Sequence, residues 1–166
     1  MELTDKKKHL KDKLEETQRK FLNLLEEIPH KELNEIWMGE GWTIKEELVH
    51  IVQVVEVIPP GIERASKGGK RSFLGFIPAG IRGWINGHII IPQKAKNETR
   101  DTLASAYQSA HKNLIGKLDK LREDDWEKGM PYPRKYRTVE QMAYRPVEHF
   151  EEHEAHIRHL LDTNNN

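Results

Sequence analysis

An all-α four-helix bundle is the fold class this sequence predicts, and three observations carry it. Apolar residues recur at helical spacing in four separate stretches, capping boxes open two of them, and the connections between them carry most of the glycines and prolines. At 166 residues the chain has the length of one domain, read as residues 1–166 with a disordered tail at 162–166. Apolar residues make up 36% and charged residues 33%, which suits amphipathic helices that each bury one narrow face.

The first helix follows from Leu10, Leu14, Phe21, Leu24, Leu25 and Ile28, set among Lys and Glu, and Pro29 helps to end it. One further turn is expected within residues 31–36. Thr43 and Glu46 form a T-x-x-E capping box, so a second helix starts there and is expected to stop at Pro59 and Pro60. Ile44, Leu48, Ile51, Val55 and Ile58 make the centre of its apolar face, and Val54, Val57 and His50 widen that arc on one side.

Residues 59–97 hold seven of the eleven glycines, so short helical pieces or a lid are expected there rather than one long helix. The segment is locally basic. Arg64, Lys67, Lys70, Arg71, Arg82, Lys94 and Lys96 stand against Glu63 alone, with Phe73, Phe76 and Trp84 among them.

A third helix from about Glu98 to Leu121 shows the stripe Leu103, Tyr107, Ala110, Leu114, Leu118 and Leu121. Gly129, Pro131 and Pro133 mark the connection after it. Thr138 and Gln141 then cap a fourth helix, with a kink or break expected at Pro146.

The fourth helix carries VEHFEEHEAHIRHLL, with four histidines in about three turns. His149 and His153 lie four residues apart on the inward arc, the spacing with which two imidazoles share one ion. His156 sits at the border as an alternative ligand, and His159 falls toward the face of Glu148 and Glu152. His50 supplies a third inward imidazole from the second helix. With no cysteine in the chain, a transition-metal site here uses nitrogen and oxygen ligands.

Three neutral imidazoles leave an ion its full charge and an open position, which lowers the pKa of a coordinated water toward ~7 or stabilises a thiolate. Glu47, Glu151 and Glu152 are the candidates to orient an imidazole from behind, with a solvated helix face as the plainer reading for the last two. A di-iron carboxylate site would need a second inward Glu-x-x-His motif on another bundle helix beside Glu47–His50, and none is read there.

Two stretches carry a family resemblance. GWTIKEELVHI and RTVEQMAYRPVEHFEEHEAHI resemble the capped, Trp-preceded second helix and the Thr-started His-x-x-x-His helix of the DinB-like (DinB/YfiT) superfamily of four-helix-bundle metalloproteins. The order of elements agrees from about residue 4 to 162. Carried over by position, the family's metal triad falls on His50, His149 and His153. The resemblance implies a divalent ion, zinc or nickel, and a small-molecule substrate. It also implies thiol-dependent S-transferase chemistry with a low-molecular-weight thiol, and a homodimer. Other members are classed as metal-dependent hydrolases, which is the alternative activity. The extra His156 and His159, Pro146 and the long basic insertion depart from the family pattern.

Within that reading, Arg71 and Arg82 are the candidates to bind the cofactor's carboxylates. A further alternative is a non-enzymatic bundle whose basic segment binds nucleic acid or an anionic surface. Equal numbers of basic and acidic residues, 27 each, argue against nucleic acid as the main partner. No run reaches the ~18 apolar residues of a membrane span and no apolar stretch follows the first residues promptly, so a cytoplasmic location is expected.

Overall fold

The computed structural model describes residues 3–34, 41–69, 79–132 and 135–164. Helix α1 (Leu3–Glu27) begins a turn or two before its apolar stripe. Leu10, Leu14, Thr17, Phe21, Leu24 and Ile28 succeed one another at steps of three and four and are all buried. Thr17 tolerates its place in that row because its hydroxyl donates to the Lys13 carbonyl at 2.8 Å. A 3₁₀ turn, Glu32–Asn34, follows Pro29.

Helix α2 (Ile44–Ser66) opens on the expected capping box. The Thr43 amide donates to Glu46 Oε2 at 2.7 Å, and the Glu46 amide donates to Thr43 Oγ1 at 3.2 Å. The helix does not stop at Pro59 and Pro60; both lie inside it. Each proline removes a backbone donor at a cost of about 3 kcal/mol, but Ile62 and Ala65 continue beyond them the buried stripe that Ile58 belongs to. Burying an isoleucine contributes roughly 1.5–3 kcal/mol, enough to hold the extra turns. The helix closes where Gly68 takes φ +70° and the Gly69 amide donates to the Arg64 carbonyl at 2.8 Å. The buried face of α2 also widens differently from expectation. Val49, Val52 and Glu47 are enclosed, whereas Val57 is exposed, because the two later long helices flank this one.

Residues 79–95 form helical pieces: α3 (Ala79–Ile85), a π-helical turn (Asn86–Ile90) and α4 (Ile91–Ala95). Gly87, Ile91 and Ala95 point inward, while Ile81, Trp84, Ile89 and Ile90 stay exposed. Arg71, Phe73 and Phe76 lie outside the described residues. Helix α5 (Arg100–Asp119) buries Leu103, Tyr107, Ala110, Leu114 and Leu118 as expected, and His111 in addition.

The connection to the last helix holds an antiparallel hairpin that the prolines concealed: β1 (Gly129–Tyr132) pairs with β2 (Lys135–Thr138). An isolated two-stranded ribbon is all edge, where a proline's missing donor is tolerated. Gly129 is required there, since a Cβ would stand 2.4 Å from the Arg137 carbonyl oxygen and 2.7 Å from the Tyr136 ring. Helix α6 (Val139–Asn164) starts on the Thr138–Gln141 box and runs unbroken past Pro146, so the break is not found there. Burial of Ala143, Val147 and Phe150 on either side of the proline keeps the helix continuous.

The four long helices make the bundle. Helix α2 packs on α5 and α6, and α1 packs on the same two, so consecutive α1 and α2 sit on a diagonal. Phe21 of α1 stacks on Tyr107 of α5 at 3.8 Å between centroids and meets Phe150 of α6 edge-on at 6.2 Å. Among the described residues no helix is long and apolar enough to cross a membrane.

Candidate metal centre

Helices α2 and α6 pack side by side, and that contact brings three imidazoles together. His50 comes from the second turn of α2, while His149 and His153 come from successive turns of α6. One ligand atom from each lies within 4.8 Å of the others. Ring centroids stand 4.8 Å apart for His50–His149, 5.3 Å for His50–His153 and 4.3 Å for His149–His153.

The back of each α6 ring is spoken for. His153 Nδ1 donates to Glu47 Oε2, a carboxylate buried to 1% exposure on α2. His149 Nδ1 lies 3.4 Å from Glu152 Oε2 and 2.9 Å from Arg145 Nη2. Both rings therefore keep Nε2 for the centre of the cluster, and His149 Nε2 stands 3.0 Å from His50 Nε2.

A guanidinium only donates, so its contact with His149 Nδ1 requires a lone pair there, whereas Glu152 requires a proton there. A neutral ring that offers Nε2 to an ion carries its proton on Nδ1, the form Glu152 accepts. Arg145 then serves Glu152 itself, which it grips at 3.0 and 2.9 Å.

Electrostatics favour the neutral ring at His50 and at His149. Burial, then the charge of His153, pushes His50 down to about 4. Burial, then His153, His50 and Arg145, pushes His149 down to about 3. Arg145 holds Glu152 down at about 2. Neutral imidazoles have the lone pairs that a borderline divalent ion takes. Two nitrogens on one tetrahedral ion stand roughly 3.3 Å apart, given bonds of ~2.0–2.1 Å. The 3.0 Å pair needs only a slight spread to admit one. The donor set thus fits a divalent ion with three nitrogen ligands and leaves a position free.

Trp42 and the π-helical turn wall the site. The Trp42 ring meets His50 edge-on at 5.1 Å, and its Nε1 donates to the Gly87 carbonyl at 3.0 Å. Gly87 allows that approach, because a Cβ would come within 3.2 Å of the indole. Gln53, one turn after His50, exchanges two amide hydrogen bonds with Asn86 at 2.9 and 3.1 Å.

His156 is exposed, with its ring 6.3 Å from that of His153, and it stands outside the three-ring cluster. His159 and Glu151 are exposed. Arg82 is half-buried on α3 and takes part in none of the contacts of the three histidines described above. Arg145 and the Gln53–Asn86 pair had no weight in the sequence reading, and Trp42 entered it only through the family resemblance. Arg145 sits four residues before His149, the spacing that would have flagged it.

The model of the DinB superfamily matches residues 13–157. A solved structure of YfiT from Bacillus subtilis, described as a probable metal-dependent hydrolase with an unusual four-helix bundle topology, superposes with a TM-score of 0.78 at 17% identity. The match covers 99% of this chain and 91% of that one. Comparison with curated protein sequences finds no match.

Proposed function

The chain belongs to the DinB superfamily, and from that premise we propose that it is a divalent-metal-dependent enzyme with His50, His149 and His153 as the ligands and zinc or nickel as the ion. One observation carries the reading: three imidazoles from two helices converge within 4.8 Å, and two of them are backed by carboxylates.

When bound, the ion supplies a Lewis acid and lowers the pKa of a nucleophile at its open position. The chain's own groups do the rest. Glu47 holds the Nδ1 proton of His153 and Glu152 that of His149, which keeps both rings in the tautomer that offers Nε2. Trp42 covers the His50 side of the cluster against water.

Hydrolysis of a small molecule is the reaction favoured by the structural likeness to YfiT. Transfer to a low-molecular-weight thiol uses the same open position and is the second reading, resting on the sequence resemblance. A nucleic-acid role is disfavoured because the basic segment is partly answered by acids. Glu63 takes both Lys67 and Lys117, and Glu56 takes Lys94.

The test is a panel of aryl esters and phosphoesters, alongside conjugation of an electrophile by a small thiol, with protein loaded with zinc or nickel. Turnover in one arm should vanish with a chelator and return with the ion. Turnover indifferent to chelation, or none in either arm from fully loaded protein, would contradict an enzymatic centre.

A further inference from the structure

Beside the metal centre, strand β2 and helix α6 border an open cavity of about 440 Å³ whose lining includes Lys135, Arg137, Arg145, Glu148 and Glu152. Three cations against two carboxylates give it a net charge of +1 by count. The distribution matters more than the sum. Arg145 answers both carboxylates: it chelates Glu152 at 3.0 and 2.9 Å and lies 3.6 Å from Glu148. Lys135 and Arg137 then have neither a hydrogen bond nor an ion pair from their side chains among the described residues. They are two residues apart on one strand, so they stand on the same face of the ribbon.

The cavity lies behind the metal centre, on the Nδ1 side of His149. Arg145 and Glu152, which line it, are also the groups that touch His149 Nδ1, at 2.9 and 3.4 Å. A molecule resting on Lys135 and Arg137 therefore lies on the far side of Arg145 and Glu152 from the His149 ring. The backbone there is built to stay in place. The Val139 amide donates to the Lys128 carbonyl at 2.7 Å, which ties the ribbon to α6, and Gly129 seats the Tyr136 ring against the opposite strand.

We propose that this cavity is an oxyanion site: Lys135 and Arg137 bind a carboxylate or phosphate group, and the group is the anionic end of the substrate. Guanidinium and ammonium donors match such oxygens with short charge-assisted hydrogen bonds. These are different cations from Arg71 and Arg82, and they come from the hairpin rather than from the long basic insertion. The role as a substrate subsite rests on the metal-centre reading; the oxyanion site itself does not.

The experiment titrates zinc-loaded protein with inorganic phosphate, with benzylphosphonate and with benzyl alcohol as the uncharged counterpart, following backbone amide shifts and measuring zinc content in the same samples. The comparison uses Lys135→Gln/Arg137→Gln, Arg137→Lys and a surface control, Lys112→Gln/Lys120→Gln. Saturable binding of the phosphonate is expected in the wild type, with shifts on β2 and at the start of α6. The affinity should fall by at least ~10-fold in the double variant, be largely kept by Arg137→Lys and be unchanged in the control. Benzyl alcohol should not bind. Tighter phosphonate than phosphate binding supports the substrate as source; phosphate binding alone would keep the oxyanion chemistry but overturn the substrate assignment. Equal affinities in wild type and double variant, or no saturation in the wild type up to ~50 mM, would overturn the site. If that happens with zinc content intact, the metal-centre reading survives. If the wild type holds no zinc yet binds the oxyanion through Lys135 and Arg137, the metal reading fails and the site stands.

Discussion

A carboxylate buried to 1% exposure persists at position 47 because His153 stands opposite it as a donor. Glu152 plays the equivalent part for His149, but its side chain is 55% exposed and shared with Arg145. The two should differ in consequence. Glu47→Gln is expected to weaken zinc binding by ~10–100-fold in competition with a chromophoric chelator, and Glu152→Gln by distinctly less. Equal losses would mean that the buried carboxylate has no special hold on its ring.

His111 makes a second residue-scale case, being 1% exposed beneath the Tyr107 ring at 4.4 Å. Burial pushes its pKa from 6.5 down to about 4. Between those values the unfolded chain binds more protons than the folded one, so stability is complete above pH 6.5 and falls as pH drops toward 4. At most about 3 kcal/mol is at stake. His50 and His149 shift the same way in metal-free protein. His111→Leu should therefore flatten part, not all, of the loss in urea midpoint between about pH 7.5 and about pH 5, measured with chelator present. Nothing in the stripe Leu103–Tyr107–Ala110–Leu114 signalled a buried histidine beside it, because a polar residue at the border of an arc is enclosed only when a neighbouring helix happens to cover it.

Among the elements, α2 does most to place the site, since it carries His50, Glu47 and Gln53 on successive turns. Its start is set by the Thr43–Glu46 box. Thr43→Ala is expected to cost ~0.5–2 kcal/mol, a fall of roughly 2–6 °C in Tm, with metal binding weakened because the first turn positions Glu47. Capping boxes and apolar periods are local, so the starts of α2 and α6 and the stripes of α1 and α5 were legible in the sequence. The end of α2 was not. Local chemistry says that Pro59 and Pro60 terminate a helix, and only the burial of Ile62 and Ala65, a tertiary fact, overrides them. The hairpin was concealed for the complementary reason: Pro131 discourages a strand, yet a ribbon with no further neighbours tolerates it.

For the whole molecule, the decisive feature is that α2 and α6, far apart in sequence, pack as neighbours in the bundle. Helix faces could be ranked from the sequence, and so His50, His149 and His153 could be named together. What the sequence could not supply was which groups approach those rings from elsewhere: Trp42 held by Gly87, and Arg145 turned back onto His149. The bundle also leaves the cluster as its one convergence of imidazoles among the described residues, with His156 and His159 outside it. Metal analysis of untagged protein tests this arrangement most directly, on the wild type and on His50→Ala, His153→Ala and His159→Ala. About one divalent ion per chain is expected in the wild type and in His159→Ala, and almost none in the other two. Equal metal content in all four proteins would contradict the account.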